Sequence, residues 1–339
     1  LVSMYFVDAT IQDWKSSMGS GQKCFRQLNQ SLGTPFAKEK QQDMSPEADF
    51  LGITHCLHLA VSHAKVSFWP RLRLEQKILG IIAAARKDSQ LLRGTAATLY
   101  GVANFFESGT YGRIGRAGLD SIKERQNSHS RTITPAIEHG FQMLEAVVRE
   151  RPERVLCLGP VEIPRFVAAS DAALEAPQAG TGGFLLAWPD SETRTRTAWK
   201  VDIPKEIYSI WEPGDAKIAQ LELLMLLVAL LSNASTFRGT AGIWFIDNTA
   251  ALMSLIKGRS DNVDLDNMVM IIHAVLFAFQ AHMYFEWIES KANWSDGISR
   301  VGHHDTWYPR HQFQPNTIGV HLEFWRLPIR AVIRVACFI

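Results

Sequence analysis

The sequence lacks the features that mark secreted and membrane proteins. Its four cysteines, Cys24, Cys56, Cys157 and Cys337, have neither the paired spacing of zinc sites nor the density of a disulfide framework. We therefore expect buried thiols in a reducing compartment. No basic segment with a small-residue cleavage site opens the chain, so no secretory signal is visible and we expect a piece of something longer.

Long hydrophobic runs are also missing. The longest largely apolar stretches, residues 223–231 and 268–279, have 9 and 12 residues. A membrane span needs roughly 18 to 20. These absences predict an intracellular protein, cytoplasmic or nuclear and not secreted, with no membrane partner.

Net charge is nearly absent, with 35 Lys and Arg against 34 Asp and Glu in 339 residues. Because 47% of the residues are hydrophobic and 20% are charged, the composition excludes a disordered polyelectrolyte and allows about two domains. The balance conceals an asymmetry. Residues 61–131 carry 12 basic and 5 acidic side chains, whereas residues 165–300 carry 11 and 16. The first region suits phosphate groups and the second suits cations.

Hydrophobic periodicity predicts a change of architecture along the chain. Residues 1–55 show short extended segments, near Asp8 and at 50–54, around a helix at 21–32. Residues 56–150 are mostly helical, and Pro135 opens the last of these helices. From 151 to 310 the pattern predicts three consecutive strands, then helix, strand, two helices, strand and a short helix. This order predicts an α/β fold, a mixed sheet with helices on its faces. Residues 311–339 form a tail that matches no pattern.

Four carboxylates stand out because each lies in, or at the end of, an apolar element. Asp171 is inside the first of the three strands, Glu222 is flanked by leucines on a helix, Asp247 ends a hydrophobic strand and Asp296 opens the last helix. Taken singly, Glu222 could be a partly exposed helix residue and the aspartates at element ends could be caps. Gathered at one end of a mixed sheet, the four would repel strongly unless divalent cations lay among them. Their hard oxygen atoms favour Mg²⁺ or Mn²⁺.

The segments around these acids resemble the ribonuclease H domain of retroelement reverse transcriptases. The resemblance covers about residues 165–300 and rests on four blocks in the same order: Ser170-Asp-Ala, Ile218-Ala-Gln-Leu-Glu222, Phe245-Ile-Asp-Asn248 and Asn293-Trp-Ser-Asp-Gly-Ile-Ser-Arg300. It implies a ribonuclease H-like mixed five-stranded sheet within residues 151–310.

The resemblance also implies an activity and a set of site residues. The activity is metal-dependent endonucleolytic cutting of the RNA strand of an RNA/DNA hybrid. Two Mg²⁺ or Mn²⁺ ions would be held by four catalytic acids: Asp171, Glu222, Asp247 and Asp296. Asn248, Ser290 and Asn293 are candidate contacts to the nucleic acid, with capping or turn formation as the alternative role of each.

The first 150 residues resemble other parts of the same polyprotein. Tyr5-Phe-Val-Asp8-Ala9 resembles the polymerase motif that normally carries two consecutive aspartates, and Phe50-Leu-Gly52 resembles the motif that follows it in the palm. The resemblance implies a palm remnant over residues 1–55 and a helical thumb or connection over residues 56–150. Ala9 replaces the second aspartate, so Asp8 alone cannot assemble a two-metal polymerase site and we expect no polymerase activity.

The basic balance of the helical region agrees with contact to a nucleic acid duplex. We expect Arg113, Arg116 and Lys123, on its third helix, to contribute to that contact. The rest of a reverse transcriptase polyprotein is the other expected partner.

Other readings stay open. A chain that has lost one active site could be an inactive retroelement remnant that only binds nucleic acid, although all four nuclease acids are present. A serine hydrolase has no support, because the sequence contains no Gly-x-Ser-x-Gly elbow. Many ribonucleases H carry a histidine shortly before the last acid, whereas this chain has His303 and His304 after Asp296. Their role stays open between catalysis and an ordinary place on the surface.

Overall fold

The computed structural model describes residues 2–5, 8–11, 13–40, 42–108, 110, 113, 116–150, 153–158, 165–176, 179–189, 194–213, 217–320 and 332. Phe6 and Val7 of the polymerase-like motif, and residues 321–331 and 333–339 of the tail, lie outside the described residues. Among the helices in these ranges, none combines the length and the apolar composition that crossing a membrane requires.

The first half of the chain combines short strands with five helices in the described residues. They are β1 Val2–Tyr5, β2 Asp8–Ile11, α1 Ser20–Ser31, β3 Glu47–Phe50, β4 Ile53–Cys56, β5 Lys65–Pro70, α2 Leu72–Asp88, α3 Arg93–Ser108, α4 Arg116–Asn127 and α5 Pro135–Glu150. The helices expected near residue 21 and from Pro135 are confirmed. β1 and β2 form an antiparallel hairpin in which Asp8 is opposite Tyr5.

The extended segment expected at residues 50–54 is wrong, because the chain turns there. β3 and β4 are the two arms of an antiparallel hairpin, with Phe50 opposite Ile53. Leu51 and Gly52, the two residues between the arms, have φ values of 50° and 80°. Two consecutive residues with positive φ are typical of the tight turn that matches the twist of a hairpin.

A four-stranded antiparallel sheet in the order β3-β4-β5-β6 contains both arms of this hairpin. Its last strand, β6 Arg154–Cys157, follows α5 in the sequence, so helices α2 to α5 are inserted between β5 and β6. The sheet therefore contains strands from each of the three predicted segments, residues 1–55, 56–150 and 151–310. Within the helices, Arg86 of α2 binds Glu138 and Glu145 of α5 at 2.6 and 2.8 Å.

The second half forms a six-stranded mixed sheet with helices. Its elements are β7 Arg165–Ala176, β8 Ala179–Ala187, β9 Thr197–Asp202, α6 Ile218–Ser232, α7 Ala234–Phe237, β10 Ala241–Ile246, α8 Thr249–Lys257, α9 Val263–Phe279, β11 His282–Trp287, α10 Asp296–Val301, α11 Trp307–Arg310 and β12 Gln314–Gly319. The strand order is β11-β10-β7-β8-β9-β12. β7, β8 and β9 form an antiparallel meander, β10 is parallel to β7, and β11 is parallel to β10.

The predicted mixed sheet with flanking helices is confirmed, but the predicted number of five strands is wrong. The sixth strand, β12, comes from the tail and pairs in parallel with β9. Its sequence, Gln314-Pro-Asn-Thr-Ile-Gly, has little hydrophobic alternation because the strand is at an edge and mostly exposed. Its position depends on pairing with a distant segment, which periodicity does not encode.

Helices cover both faces of this sheet. Two neighbouring glycines of β8 show the arrangement, since a Cβ atom on Gly182 would lie 2.2 Å from Met225 Sδ of α6, and one on Gly183 would lie 2.7 Å from Ile298 Cγ2 of α10. Successive residues of a strand point to opposite faces. α6 and α10 therefore lie on opposite sides, and both approach the sheet closely at these glycines.

α6 is apolar apart from Gln220, Glu222 and its last residue Ser232, and it is buried from Gln220 to Leu230. It packs against α9 and against β7 and β8. The same hydrophobic core includes residues of α2 to α5, among them Ile78, Leu99 and Phe141. The helical region is thus packed onto the mixed sheet's helices, and Arg259 after α8 binds Asp120 of α4 at 2.7 Å.

The expectation that the cysteines are buried is wrong for Cys24. Cys24 lies on α1 and is exposed. Most of this helix is in contact with solvent, since Asn29 is the one buried residue among its described positions. Cys56, at the end of β4, is partly exposed. Both thiols are therefore accessible to reagents and metal ions.

Candidate metal centre

The candidate site lies at the carboxyl ends of the neighbouring parallel strands β7 and β10. The two strands pair only as far as Phe245 opposite Ala169, while β7 continues to Ala176. Asp171 is two residues past that last pair, and Asp247 follows the end of β10 directly. Carboxyl ends of parallel strands meet at one edge of a sheet, where ligands commonly bind. The observed pairing of β7 with β10 thus brings Asp171 and Asp247 together.

Glu222 reaches the same place from α6. Its Oε1 accepts a hydrogen bond from the backbone N–H of Ala172, at 3.2 Å. This is possible because β10 has ended and no longer covers that side of β7. Carboxylate oxygens of Asp171, Glu222 and Asp247 all lie within 4.8 Å of one another. We call these three residues the acidic cluster.

Asp296, the fourth acid expected at the site, lies beside the acidic cluster and not within it. Its Oδ1 accepts a hydrogen bond from Nε of Arg300, one turn later in α10, at 2.7 Å. The hydroxyl of Ser299 in the same helix donates to Oδ2 of Asp171. α10 is therefore tied to the acidic cluster through Ser299, and Asp296 is close enough for its charge to raise the pKa of Asp171.

A cavity of about 530 Å³ opens onto the acidic cluster. All three acids line it, together with Asn248, Ser290 and Arg300 among other described residues. Its volume lies in the range of small-molecule sites. Asp171 and Glu222 are 3% and 1% exposed and Asp247 is partly exposed, so the cluster is largely buried and meets the cavity chiefly through Asp247.

Burial and mutual repulsion make Asp171 and Glu222 hard to ionise. The pKa of Asp171 is raised to about 6, by burial first and also by the charges of Asp247 and Asp296, against the hydrogen bond from Ser299. The pKa of Glu222 is also raised well above its ordinary value, by burial first and then by Asp171 and Asp247.

The acidic cluster fits a hard divalent cation. Oε2 of Glu222 is buried and has no hydrogen-bond partner among the described residues. A buried carboxylate oxygen without a partner is costly unless a cation neutralises it. All the offered donor atoms are carboxylate oxygens, which Mg²⁺ and Mn²⁺ prefer.

The three polar residues expected to contact nucleic acid occupy different positions. Asn248 lines the cavity and caps α8, because its Oδ1 accepts the N–H of Ala251 at 3.0 Å. Ser290 is exposed at the cavity. Asn293 is 6% exposed; its amide donates to the carbonyl of Ser170 at 3.0 Å and its Oδ1 accepts from Ser295. Contact with a duplex does not fit this burial, and Asn293 instead joins α10 to β7.

The basic residues expected to contact a duplex lie away from the cavity. Arg113, Arg116 and Lys123 are exposed. A Cβ atom on Gly258, just after α8, would lie 2.7 Å from Arg113 Cβ and 3.2 Å from Arg116 Cβ. The cavity is at the other end of α8, so along this helix the separation is about 14 Å. Arg116 also binds Glu107, at 3.1 Å.

His303 links α10 to the edge strand. Its ring nitrogens lie 3.3 Å from the Tyr308 hydroxyl and 2.8 Å from Oγ1 of Thr317 in β12. His304 is exposed. Neither residue is among those that line the cavity, so the geometry favours a structural position for His303.

Three side chains at the site are not among the residues predicted from the sequence. Ser299 and Arg300 bind Asp171 and Asp296, and both were within the last of the four sequence blocks. Trp287, at the end of β11, donates from Nε1 to the carbonyl of Asp247 at 3.2 Å while half exposed. The sequence feature that could have identified Trp287 is a large aromatic residue at the exposed end of a strand.

Solved structures include proteins similar to this chain. The chain is similar to the crystal structure of RNase H1 from the halophilic archaeon Halobacterium salinarum NRC-1, with 15% sequence identity and a TM-score of 0.32 over 41% of this chain and 96% of that chain. No protein-family model and no curated protein matches this sequence.

Proposed function

We propose that residues 165–319 form a metal-dependent endonuclease domain of the ribonuclease H type, which cuts the RNA strand of RNA/DNA hybrids. The observation that carries the proposal is the acidic cluster, three carboxylates from β7, α6 and the end of β10 with oxygens within 4.8 Å of one another at an open cavity. The order of a three-strand meander followed by two parallel strands supports it, because the sequence resemblance rests on the same order.

Asp171, Glu222 and Asp247 would supply the oxygen ligands of Mg²⁺ or Mn²⁺, with Asp296 as the further acid at the site. A bound divalent cation supplies positive charge that neutralises the phosphodiester and favours ionisation of water. Ser299 orients Asp171 through its hydrogen bond, and Arg300 holds Asp296. Asn248 and Ser290 offer polar groups at the cavity to the sugar and phosphate, so recognition depends on the backbone and little base specificity is expected.

The upstream residues belong to the same proposal. We infer a palm remnant over residues 1–55 and a thumb or connection over residues 56–150, both from the resemblance of short motifs to a reverse transcriptase polyprotein. The second motif, Phe50-Leu-Gly52, occupies the turn between β3 and β4. Because Ala9 stands in place of the second aspartate, no primer extension is expected from this chain.

The direct test is incubation of the full chain with a labelled RNA/DNA hybrid. With Mg²⁺ or Mn²⁺ we expect cuts in the RNA strand that leave 5′-phosphate and 3′-hydroxyl ends. Ca²⁺ is expected to bind and to support little cleavage, because its larger and looser coordination shell holds water and phosphate less well. Mg²⁺ at 100 times its Kd should stabilise the fold by about 2.7 kcal/mol. A folded chain that neither cuts the hybrid nor gains thermal stability with either ion would refute the proposal, and hybrid binding without cleavage would favour the inactive remnant.

The basic residues of the helical region allow a separate prediction about binding. Changing Arg113, Arg116 and Lys123 together to alanine should reduce the slope of log Kd against log salt by up to about 2 to 3, since each phosphate contact releases about one counterion. The matched control changes Lys15, Lys23 and Lys38, which are exposed in the first 40 residues, and removes the same charge. Equal slopes for the two triple variants would show that neither Arg113 nor α4 contacts the duplex.

A further inference from the structure

We propose a second metal site of different chemistry, formed by Glu47, Cys56 and His58 on the β3–β4 hairpin and suited to Zn²⁺. A carboxylate oxygen, the thiol sulfur and a ring nitrogen of these residues all lie within 4.8 Å of one another. Glu47 and Cys56 belong to the four-stranded antiparallel sheet and His58 lies in the turn that follows β4, whereas the acidic cluster is carried by the mixed sheet. We call this group the hairpin site.

Strand pairing explains why Glu47 and Cys56 are adjacent. The two residues are directly opposite each other in β3 and β4. The next pair outward is hydrogen-bonded, because the N–H of Leu57 donates to the carbonyl of Pro46 at 2.7 Å. Hydrogen-bonded and non-hydrogen-bonded pairs alternate in an antiparallel ladder, so Glu47 and Cys56 form the non-hydrogen-bonded kind, in which the side chains are closer.

His58 begins the turn that follows β4, two residues after Cys56. The N–H of Ala60 donates to the carbonyl of Leu57 at 3.0 Å, and this turn places a ring nitrogen of His58 within 4.8 Å of the other two ligand atoms. His55, one residue before Cys56, points to the other side, where its ring lies edge-on to Phe68 with 4.9 Å between centroids. His55 is therefore excluded as a ligand, and His58 is the histidine with a ring nitrogen beside the Cys56 thiol.

The tight turn of the hairpin and the pairing of β4 with β5 hold the three ligands close together. The tight turn at Leu51 and Gly52 fixes the register of β3 against β4, and β4 pairs on its other edge with β5, where Cys56 is opposite Ser67. Glu47 and His58 are exposed and Cys56 is partly exposed, so an ion reaches the ligands without opening the core.

The donor set decides the class of metal. A thiolate and an imidazole favour borderline ions such as Zn²⁺ over Mg²⁺, and one carboxylate is a common third ligand. Three protein ligands leave the fourth tetrahedral position for water or for an external group. The acidic cluster, by contrast, offers oxygen alone, so the two sites are expected to select different ions.

The test is titration of the reduced full chain with Co²⁺, because a cysteine thiolate bound to Co²⁺ produces a charge-transfer band that oxygen ligands do not. We expect one equivalent to give the band, Zn²⁺ to remove it, and excess Mg²⁺ to leave it unchanged. Cys56→Ser should abolish the band. His58→Ala and Glu47→Gln should weaken Co²⁺ binding by more than the roughly 10- to 100-fold that loss of a supporting group costs.

Two matched controls separate the hairpin site from other exposed groups. Cys24→Ser removes the exposed thiol of α1, and His63→Ala removes an exposed histidine just after the hairpin. Both variants should keep the band and its affinity. No band with the wild-type chain, a band that persists in Cys56→Ser, or a band lost in Cys24→Ser would overturn the proposal. Because His58→Ala and Glu47→Gln change exposed side chains, they keep the test valid if Cys56→Ser does not fold.

Discussion

Replacing Asp171 by asparagine is expected to abolish Mg²⁺-dependent cleavage of an RNA/DNA hybrid while leaving the fold intact. Asparagine has nearly the same size, and its carbonyl oxygen can still accept the hydroxyl of Ser299. The substitution removes one anionic ligand from a cluster whose oxygens lie within 4.8 Å of one another. We expect a loss of at least about 100-fold in cleavage rate, since even supporting groups of a metal site cost up to that much. Asp247→Asn should behave in the same way.

The same variant should be more stable than the wild type when no metal is present. Because burial and like charges raise the pKa of Asp171 from 3.8 to about 6, ionised Asp171 destabilises the folded state. Its contribution is fully favourable below the unfolded pKa and is lost as pH rises through about 6. The difference between the two pKa values corresponds to about 3 kcal/mol, which is the upper limit of the gain in the free energy of unfolding.

Thermal melts with a chelator, compared across pH, measure this effect. The melting temperatures of Asp171→Asn and wild type should be similar near the ordinary aspartate pKa, should separate as pH rises through about 6, and should differ fully above pH ~7. Asp202→Asn is the matched control, because Asp202 is exposed on β9 of the same sheet and binds Lys200 at 3.1 Å. It should leave cleavage unchanged and alter stability by about 0.5 kcal/mol or less. Wild-type cleavage by Asp171→Asn would exclude Asp171 as a ligand.

Local pattern was enough to predict the architecture around the site. The mixed order of strands followed from hydrophobic periodicity, since each strand or helix carries its own period in the sequence. Asp171, Glu222 and Asp247 stood out because charge inside apolar elements needs a partner. Their convergence then followed from the rule that parallel strands end at one edge of a sheet.

The details that pattern did not predict depend on contacts between distant segments. Asn293 looks like an exposed loop residue, yet its burial depends on the carbonyl of Ser170, 123 positions earlier. β12 is recognisable only by its pairing with β9. The backbone N–H of Arg113 donates to Nδ1 of the buried His273 of α9, 160 positions later, at 3.4 Å. Such hydrogen bonds have no sequence period, so the spacing of residues could not reveal them.

Gly183→Ala is expected to lower both stability and cleavage, because Gly183 is where α10 approaches the sheet. Gly183 is directly opposite Asp171 across β7 and β8. A Cβ atom there would lie 2.7 Å from Ile298 Cγ2 and 2.8 Å from the carbonyl oxygen of Trp199. Neither neighbour can move easily, because Ile298 is 1% exposed and the carbonyl belongs to the backbone of β9. Overpacking of this kind costs about 1 to 3 kcal/mol.

The control for this change is Gly80→Ala in the interior of α2, where a Cβ atom meets nothing within 4 Å. That variant should stabilise the fold by about 0.5 to 1 kcal/mol, because alanine favours the helix. Denaturant unfolding measures both variants, and cleavage is then compared under conditions in which each is folded. If α10 positions the metal ligands through Ser299, folded Gly183→Ala cuts the hybrid more slowly than Gly80→Ala. Lower stability with unchanged cleavage would show that α10 supports the fold and not the acidic cluster.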